Sequence, residues 1–370
     1  EGSAMEKKKL DVVTLTFHQS DNYGAVLQAY ALQTKIRKLG YSTQILNYFS
    51  EGVNFWNKKI TFKTDGYNLR TFKSIIWQFL RRHKHANFDH FRSYLELTEP
   101  YFDTTISNAG NIAGVYIVGS DQVWNCDCTF EDYHYFLDFV EDDFKKNSYA
   151  ASFGYSSIPK KYVESCKKHL CRFNKITVRE ENGIDIVKRT CDLQATMVVD
   201  PVMLLSSEEW KNVMTPVAGK NIFLYQAEKS PSLIQFANSL AKSRKCKLFI
   251  VSSVFKGTYG KNTKSFSDKG PDIFLGLISG AECVVTNSFH GTALSILFNK
   301  EFYVESLKHN NTNSRVSSIL KTFNLENRMN DMSLPIETTQ IDYTNVNKIL
   351  QRLQKESESV LLDMIHAESK

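Results

Sequence analysis

The sequence contains no C-x-x-C pair, no G-x-G-x-x-G turn, no internal repeat, no low-complexity segment and no apolar run long enough to span a bilayer. Each absence excludes something. The 7 cysteines, the closest of them Cys126-x-Cys128, lack the spacing of zinc or redox sites, and in a long chain they read as reduced thiols of a cytoplasmic protein. A lone Gly24 stands in the first strand-to-helix turn, where a dinucleotide site would carry three glycines, so NAD is not expected. With neither a membrane span nor a signal peptide, the expectation is a soluble protein, and Glu1–Ala4 ahead of Met5 reads as an expression remnant. No His, Cys or carboxylate cluster has metal-ligand spacing, so no metal is expected. Net charge is small too. A net +6 favours anionic partners such as phosphates or a membrane face but is too weak to argue for nucleic acid.

What is present is an ordinary globular composition, 42% hydrophobic and 23% charged, with 25 Phe and 17 Tyr. At 370 residues the chain suits two domains better than one core. Strand–turn–helix recurs along it. Asp11–Phe17 reads as a strand, Ala25–Leu39 as a helix with an apolar stripe at Leu27, Ala31, Leu32 and Ile36, and Thr43–Tyr48 as the next strand. Further strands are expected at Gly114–Gly119, Asn147–Phe153, Ile176–Val178, Met197–Val199, Phe223–Tyr225, Lys247–Val251 and Glu301–Glu305. Helices are expected at Lys160–Cys171, Asn182–Lys188, Leu233–Lys242, Asp272–Ile278 and Ser314–Phe323, and a long one at Thr344–Ala367. The pattern predicts an α/β protein with two Rossmann-like domains facing a central cleft, the GT-B arrangement, and a C-terminal helix. The expected boundaries are residues 5–205 on the acceptor side, 206–340 on the donor side, and a helix at 341–370 packing back on the first domain.

Residues at about 52–101 break the rhythm and read as an insertion. Within it, Leu69–Arg92 interleaves Phe72, Ile75, Ile76, Trp77, Phe79 and Leu80 with six cations against Asp89 alone. Such a basic amphipathic helix can lie on an anionic membrane surface, or pack on its own domain with a solvated basic face.

The richest stretch is Glu282–Phe298. A strand, Cys283–Val285, enters the polar turn Thr286-Asn287-Ser288, followed by Phe289-His290-Gly291-Thr292 and an apolar helix. In open α/β sheets ligands bind at such carboxyl edges, where free backbone N–H groups meet an anion. His290, Asn287, Ser288, Gly291 and Thr292 are therefore candidate ligand groups. Other turns after strands supply Asn22, Tyr23 and Gly24, then Asp121, Gln122 and Trp124, then Ser152, then Arg179. Lys308 and Arg315 lie beyond the strand at Glu301–Glu305.

These turns together resemble the polysaccharide pyruvyl transferase family. The likeness rests on Asn22–Gln28, Val118–Trp124, Ser152-Phe153-Gly154, Thr177–Glu180, Asp200-Pro201 and Ser288–Gly291, in order along nearly the whole chain. It implies a GT-B-like enzyme that moves pyruvate from phosphoenolpyruvate onto two hydroxyls of a sugar. The product is a cyclic ketal on a cell-surface polysaccharide or its precursor, with a polyprenyl-diphosphate-linked sugar as one form of acceptor. No cofactor is implied, and the expected place is the cytoplasm, peripheral to the inner face of the membrane. On this reading Arg179 grips the donor's carboxylate or phosphate, Lys308 and Arg315 add cations from the second domain, and His290 is the acid or the phosphate-binding group. Asp121 is the base or orients a hydroxyl, Asn22 and Asn287 hydrogen-bond the ligand, and Trp124 and Tyr23 stack on the sugar or belong to the core. One position departs from the family. Its better-known members carry Arg two residues before the motif His, and here that residue is Ser288; Lys308, Arg315 or a backbone nest would replace it. The competing readings are a nucleotide-sugar glycosyltransferase of the same architecture and a non-catalytic glycan-binding relative.

Overall fold

β-branched and aromatic runs between polar turns form two all-parallel sheets. The computed structural model describes residues 9–53, 69–253, 259–260, 262–306, 312–332 and 340–366. The first sheet contains β1 (Leu10–Leu15), β2 (Thr43–Phe49), β3 (Leu97–Phe102), β4 (Ala113–Val118), β5 (Lys146–Ala151), β6 (Lys175–Val178) and β7 (Thr196–Met197), in the order β3-β2-β1-β4-β5-β6-β7. Helices α1 (Tyr23–Lys38), α2 (Leu69–Arg92), α3 (Val163–Leu170) and α4 (Glu181–Cys191) connect its strands. After α5 (Ser207–Trp210) the second sheet is built from β8 (Asn221–Gln226), β9 (Lys247–Ser252), β10 (Thr263–Ser265), β11 (Cys283–Thr286), β12 (Glu301–Glu305) and β13 (Met329–Asn330), in the order β10-β9-β8-β11-β12-β13. Its helices are α6 (Pro231–Ser243), α7 (Pro271–Gly280), α8 (Phe289–Leu297) and α9 (Thr312–Thr322), and the chain ends in α10 (Tyr343–Ile365). Both sheets are doubly wound. Strand order reverses between β1 and β4 in one and between β8 and β11 in the other, which are the positions where such sheets bind ligands.

α1 shows how sequence produces these elements. Asn22 caps it by accepting from the Ala25 N–H at 3.3 Å, and Val26, Leu27, Ala31, Leu32 and Ile36 bury one face. Lys35, Arg37 and Lys38 occupy its last turn, complementing the helix dipole, and Gly40 follows with a positive φ of 95°.

One apolar core runs through both domains, joining Tyr23, Val26 and Val202 to Phe223, Tyr225, Phe274 and Ala293. At this seam the Tyr23 ring stacks on Phe274 with centroids 4.4 Å apart, and its hydroxyl donates to the Lys269 carbonyl at 2.8 Å. α10 reaches back to the first domain. Ser357 Oγ accepts from the Val199 N–H at 3.1 Å, and Gln354 donates to the Met203 carbonyl at 2.7 Å.

Several elements differ from the expectation. The segment read as an insertion outside the α/β rhythm is a regular crossover: α2 carries the chain from β2 to β3, and β3 pairs with β2 in parallel. Pro100 disguised that strand, and β3 tolerates it because it is the sheet's edge. β10 lies inside the stretch Phe255–Gly270, whose polar, glycine-bearing sequence reads as a loop, and residues 255–258 and 261 of that stretch are outside the described residues. The expected helix Lys160–Cys171 opens with a 3-10 turn, Lys160–Tyr162, before α3.

Candidate functional site

Adjacent parallel strands lie about 4.8 Å apart, so residues just past their carboxyl ends become neighbours. In the first sheet this brings together Ser120 after β4, Ser152 after β5, Arg179 and Glu180 after β6, and Asp200 after β7. All five are buried. Asp200 Oδ2 is the hub: Ser120 Oγ donates to it at 2.8 Å, Arg179 Nη1 donates at 3.1 Å, and His290 Nε2 lies 3.4 Å away. Its other oxygen accepts from the Val202 N–H at 3.0 Å. Ser152 Oγ donates to Glu180 Oε1 at 2.6 Å, and Glu180 Oε2 lies 3.6 Å from Arg179 Nε. The Arg179 guanidinium also stacks over the Phe289 ring at 4.3 Å.

The electrostatics follow from burial and pairing. Burial alone would raise the Asp200 carboxyl, but His290 and the Arg179 guanidinium outweigh it and hold Asp200 well below the ordinary carboxylate range. Burial likewise works against a charged Arg179, and Asp200, Glu180 and Asp121 more than offset it, raising its pKa. Yet this network leaves atoms over. Among the described residues, Arg179 Nε and Nη2, Glu180 Oε2 and His290 Nε2 are buried without a hydrogen-bond partner. Buried polar atoms are rarely left unpaired, and those in native structures commonly face a ligand or water.

His290 comes from the second sheet. β11 ends at Thr286, Ser288 caps α8 by accepting from the Gly291 N–H at 3.4 Å, and His290 occupies the first turn of that helix. Its ring lies against Gly24 at the start of α1, so closely that a Cβ on Gly24 would fall 2.0 Å from Nδ1. The two switch points thus meet at the Gly24–His290 contact, and the site is built by both domains. Arg315, in the first turns of α9, adds a second cation. Burial and the charge of Arg179 lower its pKa, while Glu180 and Asp121 pull it upward. A cavity of about 50 Å³ adjoins Arg179, Asp200 and Phe289 and is lined also by Ser318 and Thr322 of α9 and by Glu356 and Ser357 of α10.

Asp121 has a φ of 81°, a conformation that stores strain in a residue other than glycine, and its carboxylate accepts from the Gln122 N–H at 2.9 Å. The register of β5 on β6 shifts between Ser148 and Ala151, with Ala150 at φ 53°, immediately before Ser152. Gln122 Oε1 accepts from Asn125 at 3.2 Å.

Other predicted residues sit elsewhere. Trp124 is in the core, stacked with Phe136 at 5.7 Å and against Phe153 and Phe173, and has no face open to a sugar. Tyr23 is committed to the domain seam in the same way. Asn287 spends its amide on the fold: Oδ1 accepts from the N–H groups of Ala227 and Glu228, and Nδ2 donates to the Glu228 carbonyl and to Glu305. Thr292 is fully buried, donating to the Ser288 carbonyl at 2.9 Å. Gly291 allows close packing, since a Cβ there would fall 2.6 Å from Thr286 Oγ1. Asn22 is the cap of α1. Lys308 lies outside the described residues. Conversely Asp200, Glu180 and Ser120 were not among the predicted site residues. The available signal was Asp200-Pro201, an acidic cap directly after a strand end.

Among the described residues no group of three His, Cys, Asp or Glu side chains could hold a metal ion, and no helix is long and apolar enough to cross a membrane.

Among solved structures, the chain is similar along its path to UDP-GlcNAc 2-epimerase from Methanocaldococcus jannaschii, at 9% identity and a TM-score of 0.47, covering 95% of this chain and 98% of that one. UDP-GlcNAc 2-epimerase from Neisseria meningitidis gives 10%, 0.44, 96% and 94%. The wall teichoic acid polymerase TagF gives 9%, 0.44, 95% and 83%. At such identities and scores the two-domain GT-B fold is read from the two doubly wound sheets themselves. Among curated proteins, none matches this sequence. The family model described as polysaccharide pyruvyl transferase matches residues 22–309, from the cap of α1 to beyond β12, and the chain belongs to that family.

Proposed function

We propose that the protein transfers pyruvate from phosphoenolpyruvate to two hydroxyls of one sugar in a polysaccharide or its lipid-linked precursor. The observation that carries the reading is Arg179, a fully buried guanidinium whose Nε and Nη2 lack hydrogen-bond partners among the described residues, placed beside His290 where the two domains meet. A fixed fork of free donors suits a carboxylate or a phosphate, and phosphoenolpyruvate carries both. Arg315 supplies a second cation from α9 in place of the arginine that Ser288 replaces.

The enol methylene takes a proton and becomes the ketal methyl group. The carbon that held the phosphate is attacked in turn by the two hydroxyls, phosphate leaves with a proton, and two C–O bonds to the sugar replace the C–O bond to phosphate and the C=C π bond. His290 delivers the proton, held in orientation by Asp200. Asp121 and Glu180 are the carboxylates at hand for the hydroxyl protons, and Glu180 Oε2, ion-paired with Arg179, has no hydrogen-bond partner among the described residues.

The test is mass spectrometry of a glycoside acceptor incubated with the protein and phosphoenolpyruvate. The expected product gains pyruvate and loses water. A hexose gain from a nucleotide sugar instead would identify a glycosyltransferase, and no gain with any donor would leave a glycan-binding protein. Arg179→Ala is expected to weaken donor binding on the order of 10- to 100-fold, the equivalent of one charge-assisted bidentate contact. An unchanged donor KM and kcat would remove Arg179 from the site.

A further inference from the structure

The N-terminal half of α2 carries features that the reaction at the domain seam does not use. Phe72, Ile76, Phe79 and Leu80 are between 43% and 59% exposed, large side chains of a kind that a helix buries when it packs on its own domain. Phe72, Ile76 and Phe79 recur at helical spacing, so with Leu80 they form one stripe on the outer face. Cations flank the stripe. Lys73 and Arg82 are exposed beside it, and the Arg82 guanidinium lies over the Phe79 ring at 3.7 Å, whereas the half-buried Lys84 turns inward with its Nζ over the Tyr23 and Phe88 rings. No carboxylate occurs from Leu69 to Phe88. The helix holds six cations against Asp89, a net +5 out of the chain's +6, so nearly all the excess charge of the protein is concentrated here.

The C-terminal half is fixed to the site. Phe88 and Phe91 are fully buried. Arg92 donates to the carbonyls of His18 and Gln19 at 3.1 and 2.8 Å and to Asp21 at 2.7 Å, clamping the turn between β1 and α1. Asn87 donates across the seam to the Asp268 carbonyl at 2.8 Å. The Phe88 ring packs on Tyr23 at 4.9 Å, directly before the Gly24 that supports His290. From Phe79 to Phe88 the helix rises about 14 Å.

We infer that the outer face of α2 docks the protein on an anionic lipid bilayer, with Phe72, Ile76, Phe79 and Leu80 entering the acyl boundary and the exposed Lys73 and Arg82 meeting the headgroups. Charge complementarity selects this occupant: an apolar stripe bordered by cations, without a carboxylate over five turns, matches a negative lipid surface. The clamp at Arg92 then sets the catalytic seam a fixed short distance above the bilayer, where a membrane-anchored glycan presents its sugar. Docking concerns binding alone and stands apart from the pyruvyl reading, so either can fail without the other.

The experiment is co-sedimentation of the full chain with phosphatidylcholine vesicles and with vesicles that also contain phosphatidylglycerol. The protein is expected to pellet with the anionic vesicles only and to be released by salt. Lys73→Gln with Arg82→Gln should lower partitioning about 30-fold, and Phe79→Ser with Leu80→Ser about 10-fold or more. Both pairs are surface substitutions whose melting temperature should match the parent; Phe72→Ser is the alternative if either pair misfolds. Binding to neither vesicle, equal binding to both, or variants that bind like the parent would overturn the inference. So would a concentration-dependent dimer in sedimentation that the Phe79→Ser, Leu80→Ser variant abolishes, since that would give the stripe to a second copy of the chain.

Discussion

His290 and Gly24 depend on each other although they belong to different domains. A side chain on Gly24 would occupy the place of the imidazole, with its Cβ 2.0 Å from Nδ1. Gly24→Ala should therefore push His290 away from Asp200 while leaving every other side chain of the candidate site present. A displacement of about 1 Å can lower turnover roughly 100-fold, and steady-state rates beside a melting curve would separate this from unfolding. Turnover near that of the parent would show that the ring adapts and that its position matters little. If His290 is the acid of the proposed reaction, His290→Gln removes it and keeps a hydrogen-bonding side chain, so kcat should fall by roughly 100- to 10,000-fold while donor affinity, measured by calorimetry, changes much less. The reverse pattern, weakened donor binding with modest loss of turnover, would reassign His290 to holding phosphate. Individual residues were only partly legible in the sequence. His290 and Arg179 stood out because polar residues after strand ends are exposed to the ligand edge. Asp200 did not, because its role comes from β7 lying beside β6, a neighbourhood that two residues of strand do not announce. Trp124, for which the sequence left both a sugar-facing and a core place open, takes the core: its turn is at the site, but the side chain points back.

The turn from β1 into α1 carries its own titration. His18 is buried, its Nδ1 donates to the Thr16 carbonyl at 3.1 Å, and burial pushes its pKa down to about 4 from the ordinary 6.5. The unfolded chain takes up this proton as pH falls through about 6.5, and the folded chain does so only near pH 4. His18 therefore leaves stability intact above the higher value and removes it progressively below, by roughly 3 kcal/mol across the window. Urea unfolding at several pH values should show this slope in the parent and a flatter one in His18→Gln; equal slopes would mean that His18 titrates normally. Because Arg92 of α2 clamps the same turn, loosening it should release the docking helix as well. At this scale the sequence was most readable where period and caps agree, as in α1. It was least readable at the edge strands, where β3 carries a proline that argues against a strand and β13 has only two residues, too few to show a period.

For the molecule as a whole, the decisive feature is that its two sheets share one apolar core. Multidomain chains commonly unfold in steps when their domains meet through small polar interfaces. Here the seam contains Tyr23, Phe88, Tyr225 and Phe274 as a packed aromatic group: Tyr23 stacks on Phe274 at 4.4 Å, and Tyr225 meets Phe274 edge-on at 4.8 Å. α10 fastens the arrangement from the other side, since it leaves the second domain and buries Leu361 and Ser357 against the first. A joint of this kind resembles the interior of a single domain, and the site needs it, because Asp200 and Arg179 belong to one sheet and His290 to the other. Calorimetry should accordingly give one cooperative transition. Tyr23→Ala removes the ring at the centre of the seam and should lower stability by about 3–5 kcal/mol, the usual consequence of deleting a buried aromatic side chain. The transition should move to lower temperature and remain single, because the aliphatic part of the core still spans the domains. Two separated transitions in the variant would mean that each domain is stable alone and that the aromatic group merely holds them in contact. In that case turnover should be lost well below the temperature at which either sheet melts, since parting the seam separates His290 from Asp200.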